Sequence, residues 1–236
     1  MFISILGDSI STYRGYNPDG HAVYYDEEMR MRNGLQSVYD TWWAKVNQEL
    51  NAYLCVNNSY SGSKVSGEEF PSGCCQERIE NLRTSEFTPD LILIYMGFND
   101  FGYGVPISCA PLSNDGKANL QCFEDAYHQM LIRLRYFYPN AKIVCATLMR
   151  TTLKQNGLWH FPDKLGGISI DDYNNSIRRA ADNCRISLAD IAKRHFDFAN
   201  FPVCDRRYET LDGAHPTAKG HQTIADEWID CLSKIL

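Results

Sequence analysis

The sequence predicts an α/β protein with three layers, in which a parallel five-stranded sheet lies between two layers of helices. Five short apolar runs have the length of buried strands, and they cover residues 2–6, 53–56, 91–95, 142–147 and 185–188. The runs are continuously apolar rather than alternating, as expected for parallel strands covered on both faces. Helical patterns separate them, and right-handed crossovers then favour a flavodoxin-like sheet.

Apolar residues recur at helical spacing between these runs. The stripes cover residues 38–50, 123–134, 173–184 and 224–235, and a shorter helix is expected over 74–83. Pro216 is predicted near the first position of the last helix, where a missing N–H costs nothing. The chain of 236 residues contains no internal repeat and no linker, so a single domain over 1–236 is expected.

Composition and charge argue against several classes of partner. The formal net charge is −6 and no cluster of Lys and Arg accompanies it, so nucleic acid is not an expected partner. No apolar run approaches the roughly 18 residues needed to span a bilayer, and no membrane association is expected. The first residues run into an apolar segment without a basic leader, which predicts a cytoplasmic protein, although a chain with its leader trimmed away would look identical.

The nine cysteines do not have the spacing of a metal site. Free and mostly buried thiols are therefore expected, with no metal and no cofactor. The chain also contains no G-x-G-x-x-G or P-loop sequence, which leaves a nucleotide-binding function without support.

Glycine-containing polar motifs follow three of the predicted strands, and a fourth precedes the last helix. They are Gly7-Asp8-Ser9, Asn57-Asn58-Ser59-Tyr60-Ser61-Gly62, Gly97-Phe98-Asn99-Asp100 and Asp212-Gly213-Ala214-His215. A single serine after a strand is usually a cap or a turn residue. Ligands bind at the carboxyl ends of the strands in such sheets, so the joint placement of these motifs predicts one active site.

The residue types in these motifs suit acyl transfer by a serine. Ser9 requires a base within hydrogen-bond reach, which His215 can supply, and Asp212 can fix the tautomer of that histidine. The backbone N–H groups of Ser9 and Gly62 and the side-chain amide of Asn99 are suitable donors to an oxyanion.

In their order and spacing, the four motifs resemble the sequence blocks of the SGNH (GDSL-type) hydrolase family over nearly the whole chain. The resemblance implies the SGNH hydrolase fold and metal-independent ester hydrolysis. By the same resemblance, Ser9, Asp212 and His215 would form the catalytic triad, and Ser9, Gly62 and Asn99 the oxyanion hole. The family is known to act on carbohydrate acetyl esters, lipid esters and thioesters.

Two long connections, 101–119 and 150–169, follow predicted strands at the active-site edge, and they contain aromatic residues of the kind that stack on sugar faces. Phe98 either walls the acyl side of the pocket or packs beneath its loop. The predicted substrate-binding residues are Asp8, Phe98, Tyr103, Trp159 and His160. The expected partner is a small-molecule ester, with acetylated carbohydrate preferred.

Three alternatives stay open from the sequence. A lysophospholipase or thioesterase would use the same residues on longer acyl chains. A carbohydrate-binding module would keep the fold without turnover, although the intact motifs oppose this. Acyl transfer to an acceptor other than water is also compatible with the motifs.

Overall fold

A parallel sheet forms the centre of the protein. The computed structural model describes residues 1–109, 117–150, 169–194 and 209–236. In those ranges the sheet has five strands in the order β2-β1-β3-β4-β5, which is the flavodoxin-like order and confirms the predicted fold. The strands are β1 (Phe2–Gly7), β2 (Tyr53–Ser59), β3 (Leu91–Tyr95), β4 (Lys142–Ala146) and β5 (Ser187–Ala189).

The three strands β2, β1 and β3 end level with one another. Gly7 at the end of β1 pairs with Ser59 of β2 on one side and with Tyr95 of β3 on the other. The segments that follow these strands therefore leave the sheet at the same edge, and this register brings three of the four motifs together.

Helices cover both faces of the sheet. They are α1 (Glu27–Arg32), α2 (Trp42–Glu49), α3 (Gln76–Glu80), α4 (Phe98–Tyr103), α5 (Phe123–Phe137), α6 (Ile170–Cys184) and α7 (Ala218–Leu232). α2 packs against α7, and α5 packs against α3 and α6. Trp42 of α2 stacks on Trp228 of α7 with ring centroids 5.3 Å apart, and its edge-on contact with Tyr95 joins this layer to the sheet. Within the described ranges, none of the helices combines the length and the apolar character needed to cross a bilayer.

Several helix boundaries differ from the prediction, and two of the differences have a clear local cause. The stripe over 38–50 divides into a 3-10 turn at Val38–Asp40 and α2, because Thr41 ends the turn and caps α2 by accepting from the Ala44 N–H at 3.4 Å. The last helix begins after Thr217, whose hydroxyl accepts from the Gly220 N–H, so Pro216 lies outside the helix. Pro216 instead forms a β-bridge with Thr210.

The expectation that all the cysteines are free is wrong for one pair. Cys109 and Cys122 form a disulfide with their Cα atoms 6.0 Å apart, and it joins the connection after α4 to the start of α5. No spacing motif marks this pair, because the approach of the two Cα atoms is decided by how the connection folds. The other described cysteines have free thiols, and Cys204 lies outside the described residues.

Gly220 allows α7 to lie against the segment that carries His215. A Cβ at this position would come within 2.1 Å of the Glu209 carbonyl oxygen and 3.0 Å of Pro216 Cβ. Alanine normally favours a helix over glycine by about 1 kcal/mol. Here the clash with backbone outweighs that preference, so we expect Gly220→Ala to lower the free energy of unfolding by about 1–3 kcal/mol.

Urea denaturation of both proteins tests this expectation. Gln222→Ala on the exposed side of α7 is the matched control and should change stability by less than about 0.5 kcal/mol. An unchanged or increased midpoint for Gly220→Ala would contradict the close contact.

Candidate active site

Ser9 lies in a tight turn at the end of β1. The turn is a 3-10 helix, Ser9–Ser11, and the Asp8 carboxylate caps it by accepting from the Ile10 N–H at 3.0 Å. Gly7 is required before it, because a Cβ there would lie 2.7 Å from atoms of Ser11 and Ser59. The turn thus places the Ser9 hydroxyl at the strand-end edge of the sheet.

The structure brings Ser9, His215 and Asp212 into one hydrogen-bonded chain. His215 Nε2 lies 3.0 Å from Ser9 Oγ, and His215 Nδ1 lies 2.7 Å from Asp212 Oδ2. The other carboxylate oxygen, Asp212 Oδ1, accepts from the backbone N–H groups of Ala214 and His215 at 2.9 and 2.7 Å. This local turn explains the spacing of three residues between the aspartate and the histidine.

The environment of Asp212 keeps its carboxylate ionised. Burial by itself would raise the pKa, but the charge of His215 and the hydrogen bonds from His215 and Ala214 lower the pKa of Asp212 to about 2. The carboxylate therefore accepts the Nδ1–H of His215, which leaves Nε2 free to accept a proton from Ser9.

Hydrogen bonds hold the loop that carries Gly62 against the third motif, Gly97-Phe98-Asn99-Asp100. Asn99 Nδ2 donates to the Ser63 carbonyl at 3.0 Å. Both oxygens of the buried Asp100 carboxylate accept backbone N–H groups of the same loop, from Val65 at 2.7 Å and from Ser66 at 3.0 Å. Gly62 has a φ of +82° with open space where a Cβ would project, so the loop presents bare backbone at this point.

Arg78 is a buried cation beneath this edge of the sheet that the sequence pattern did not reveal. Its guanidinium donates to three backbone carbonyls, those of Gly7, Asn58 and Pro71. Burial lowers the pKa of Arg78 to about 10, against the attraction of Asp8. It remains charged at neutral pH.

Asp8, which the sequence predicts to bind substrate, is buried beneath the Ser9 turn. Only 1% of Asp8 is exposed, because its carboxylate caps the Ser9 turn. Burial raises the pKa of Asp8 to about 6, opposed by the hydrogen bond from Ile10 and by the charges of His215 and Arg78.

The other predicted substrate-binding residues occupy different environments. Phe98 is buried and packs against Phe101 with ring centroids 6.2 Å apart. Tyr103, at the end of α4, is 70% exposed. Trp159 and His160 lie outside the described residues.

The sequence motifs also do not reveal Tyr24, which contacts both His215 and Asp212 of the hydrogen-bonded chain. Its ring stacks on the His215 imidazole with centroids 3.5 Å apart and planes inclined by 7°. Its hydroxyl lies 3.5 Å from Asp212 Oδ2. No motif marks it, because it belongs to the irregular segment between β1 and α1.

A cavity of about 570 Å³ begins at Gly62 and Ser63. Its walls are built by residues between 62 and 72 together with Gln121, and charged groups on them come from Lys64, Glu68 and Glu69. Ser9 and His215 are not among the lining residues, so the cavity adjoins the candidate site through the Gly62 loop. The described side chains of His, Cys, Asp and Glu form no group of three that could hold a metal ion.

A known protein family matches most of this chain. The profile of the family described as GDSL-like Lipase/Acylhydrolase matches residues 1–157, well over half of the chain. The chain belongs to that family. The serine after β1 lies within the matched residues, in the motif Gly7-Asp8-Ser9.

Similar proteins extend over the full length of this GDSL-type hydrolase. A "Multidomain esterase" from Ruminococcus flavefaciens is 22% identical over 241 residues, which cover 99% of this chain and 24% of that relative. This chain therefore spans about a quarter of the length of that relative. The crystal structure of a GDSL-like lipase from Bacteroides ovatus is 26% identical with a TM-score of 0.71, covering 99% of this chain and 98% of that chain. A second from Bacteroides uniformis is 28% identical with a TM-score of 0.72, covering 99% and 96%.

The raised pKa of Asp8 should make the free energy of unfolding of the protein depend on pH. Because its pKa rises from 3.8 to about 6 on folding, the folded protein holds a proton between these values that the unfolded chain releases. The contribution of Asp8 to the free energy of unfolding therefore falls as pH rises through this window, by about 3 kcal/mol in total.

Asp8→Asn keeps an acceptor for the Ile10 N–H but cannot titrate. As pH rises from about 4 to 6, the wild type should therefore lose stability relative to Asp8→Asn. Urea denaturation across this range measures it. Asp19→Asn, at an exposed position, is the matched control. Parallel stability curves for wild type and Asp8→Asn would contradict the raised pKa.

Proposed function

We propose that this ester hydrolase removes small acyl groups, acetyl first among them, from a carbohydrate or another polar alcohol through an acyl-enzyme on Ser9. The observation that carries the proposal is the unbroken chain of hydrogen bonds from Ser9 Oγ through His215 to Asp212, at 3.0 and 2.7 Å. Family membership supports the reaction class.

In the first step, Ser9 Oγ attacks the ester carbonyl carbon while His215 Nε2 takes the hydroxyl proton. The carbon–oxygen π electrons move to the carbonyl oxygen, and the imidazolium is stabilised by the ionised Asp212. When the tetrahedral intermediate collapses, the bond to the leaving alcohol breaks and His215 returns the proton to that alcohol. The acyl group stays on Ser9.

The negative charge on the carbonyl oxygen requires preorganised donors. We assign this role to the backbone N–H groups of Ser9 and Gly62 and to the Asn99 amide, each contributing about 2.7–4 kcal/mol to the transition state. One of the two hydrogens of the Asn99 side-chain amide is donated to the Ser63 carbonyl. That bond leaves the second hydrogen for the oxyanion and fixes the orientation of the amide.

In the second step, water replaces the alcohol. His215 removes a proton from the water as it attacks the acyl carbon, and then returns that proton to Ser9 Oγ as the carboxylic acid leaves. The free enzyme is thereby restored.

The side chains that line the cavity beside Gly62 support a hydroxyl-rich alcohol. Its walls offer carboxylates, an ammonium group, hydroxyls and an amide, and Pro71 is the one hydrocarbon side chain among the described residues that line it. Ser63 Oγ is buried there with no hydrogen-bond partner in the described part of the chain.

Longer acyl chains are the main alternative, as in a lysophospholipase or thioesterase, and they would need an apolar groove for the acyl group. A non-catalytic carbohydrate-binding role would leave the Ser9–His215 contact without a purpose. The cytoplasmic location and the absence of nucleic-acid and membrane partners remain predictions from the sequence.

Ser9→Ala should lower kcat by about 10⁴-fold or more on p-nitrophenyl acetate without added metal, because the nucleophile is lost. Wild-type activity should fall from acetate to butyrate to octanoate. Ser85→Ala, at an exposed position, is the matched control and should keep full activity. A Ser9→Ala variant that retains most of the activity would remove Ser9 from the mechanism, and a preference for octanoate would favour the long-chain alternative.

Glu68→Gln and Glu69→Gln should weaken recognition of the alcohol. Each loses a charged acceptor for a sugar hydroxyl, so KM for an acetylated methyl glycoside should rise by about 5–10-fold. The rise should be smaller for p-nitrophenyl acetate, whose leaving group has no hydroxyls. Glu49→Gln, at an exposed position on α2, is the matched control. Equal changes for the two esters would contradict binding of the alcohol in this cavity.

A further inference from the structure

The ring of Tyr24 lies flat on the His215 imidazole, at a centroid distance of 3.5 Å and an inclination of 7°. We propose that Tyr24 is a positioning residue that holds this imidazole in its productive orientation and stabilises its protonated form during acyl transfer. The proposal rests on the proposed function, because it requires His215 to gain and lose a proton in each step.

A ring of contacts, referred to below as this circuit, runs from Tyr24 to Ser9 and returns to Tyr24 through His215. The Tyr24 N–H donates to Thr12 Oγ1 at 2.9 Å, and the Thr12 hydroxyl donates to the Ser9 carbonyl at 2.9 Å. The Tyr24 ring contacts His215, whose Nε2 returns to Ser9 Oγ. The position of the aromatic ring is therefore set by the same turn that sets the nucleophile.

The neighbouring residue anchors the other side of this circuit. The Tyr25 hydroxyl donates to the Pro216 carbonyl at 2.7 Å, next to His215 in the chain. The Tyr25 ring meets the Tyr24 ring edge to face at 4.9 Å. Segment 24–25 is thus tied both to the Ser9 turn and to the His215 segment, which limits rotation of the imidazole about its χ angles.

The face of an aromatic ring attracts a cation, and the attraction grows when water is excluded. His215 is neutral before attack and cationic in the transition state, so contact with the ring face stabilises the transition state more than the ground state. Asp212 meets the imidazole at Nδ1 and Ser9 meets it at Nε2, while Asp8 and His221 act on its charge from further away. Tyr24 acts on the ring face.

The hydroxyl of Tyr24 plays a smaller part than its ring. It lies 3.5 Å from Asp212 Oδ2, which is longer than an ordinary hydrogen bond between oxygens. Burial raises the pKa of Tyr24, followed by the negative charge of Asp212, so the phenol stays neutral. Removing the hydroxyl and removing the ring should therefore have different effects.

Kinetics of Tyr24→Phe and Tyr24→Leu on p-nitrophenyl acetate separate these contributions. Tyr24→Phe keeps the ring, and its kcat should stay within about threefold of wild type. Tyr24→Leu should lower kcat by about 3- to 30-fold with little change in KM. Tyr136→Leu, at an exposed position on α5, controls for a general loss of tyrosine.

A series of fluorinated phenylalanines at position 24 tests the ring face without changing its shape. Each added fluorine weakens the negative face, so log kcat should fall stepwise along the series. A flat series, equal losses in Tyr24→Phe and Tyr24→Leu, or an effect confined to KM would overturn the proposal. Those results still leave a Ser9-dependent esterase, whereas failure of the proposed function appears as wild-type activity that Ser9→Ala does not reduce.

Discussion

One buried guanidinium organises the edge of the sheet where the active site lies. Among the described residues no carboxylate contacts Arg78 directly, and its guanidinium donates to the carbonyls of Gly7, Asn58 and Pro71. The first two belong to neighbouring strands at the point where both end, and the third closes the loop that follows β2. A charged donor gives stronger hydrogen bonds than a neutral one, and it fixes the carbonyls next to the nucleophile turn. The positive charge also partly offsets the buried carboxylate of Asp8.

The remaining parts of the site are secured by carboxylates that bind backbone. Asp8 caps the Ser9 turn, Asp100 holds the loop of Gly62, and Asp212 folds the turn before His215. Each of these residues stands beside a residue with a proposed chemical role. Each motif that carries one of these aspartates therefore contains both a residue with a proposed chemical role and an aspartate whose hydrogen bonds shape the backbone around it.

Much of the architecture could be predicted because it depends on local patterns. Continuous apolar runs gave the strands, and Gly7-Asp8-Ser9 and Asp212-x-x-His215 lie in short turns whose geometry is set by adjacent residues. Tyr24 and Arg78 could not be found this way, since their contacts join segments far apart in the chain and neither follows a periodic pattern. The burial of Asp8 could not be predicted either, because it follows from the packing of the turn, which residue type alone does not reveal.

The disulfide between Cys109 and Cys122 makes part of the enzyme sensitive to thiol chemistry. It closes a ring across a sequence separation of 13, and a crosslink of this span typically stabilises a folded protein by about 3 kcal/mol. Gln121 of the cavity wall is adjacent to Cys122, and the neighbouring Leu120 carbonyl accepts from the Gly67 N–H at 2.7 Å. Reduction of this disulfide would release the segment that carries Gln121, so how firmly this part of the cavity wall is held depends on the thiol–disulfide balance of the surroundings.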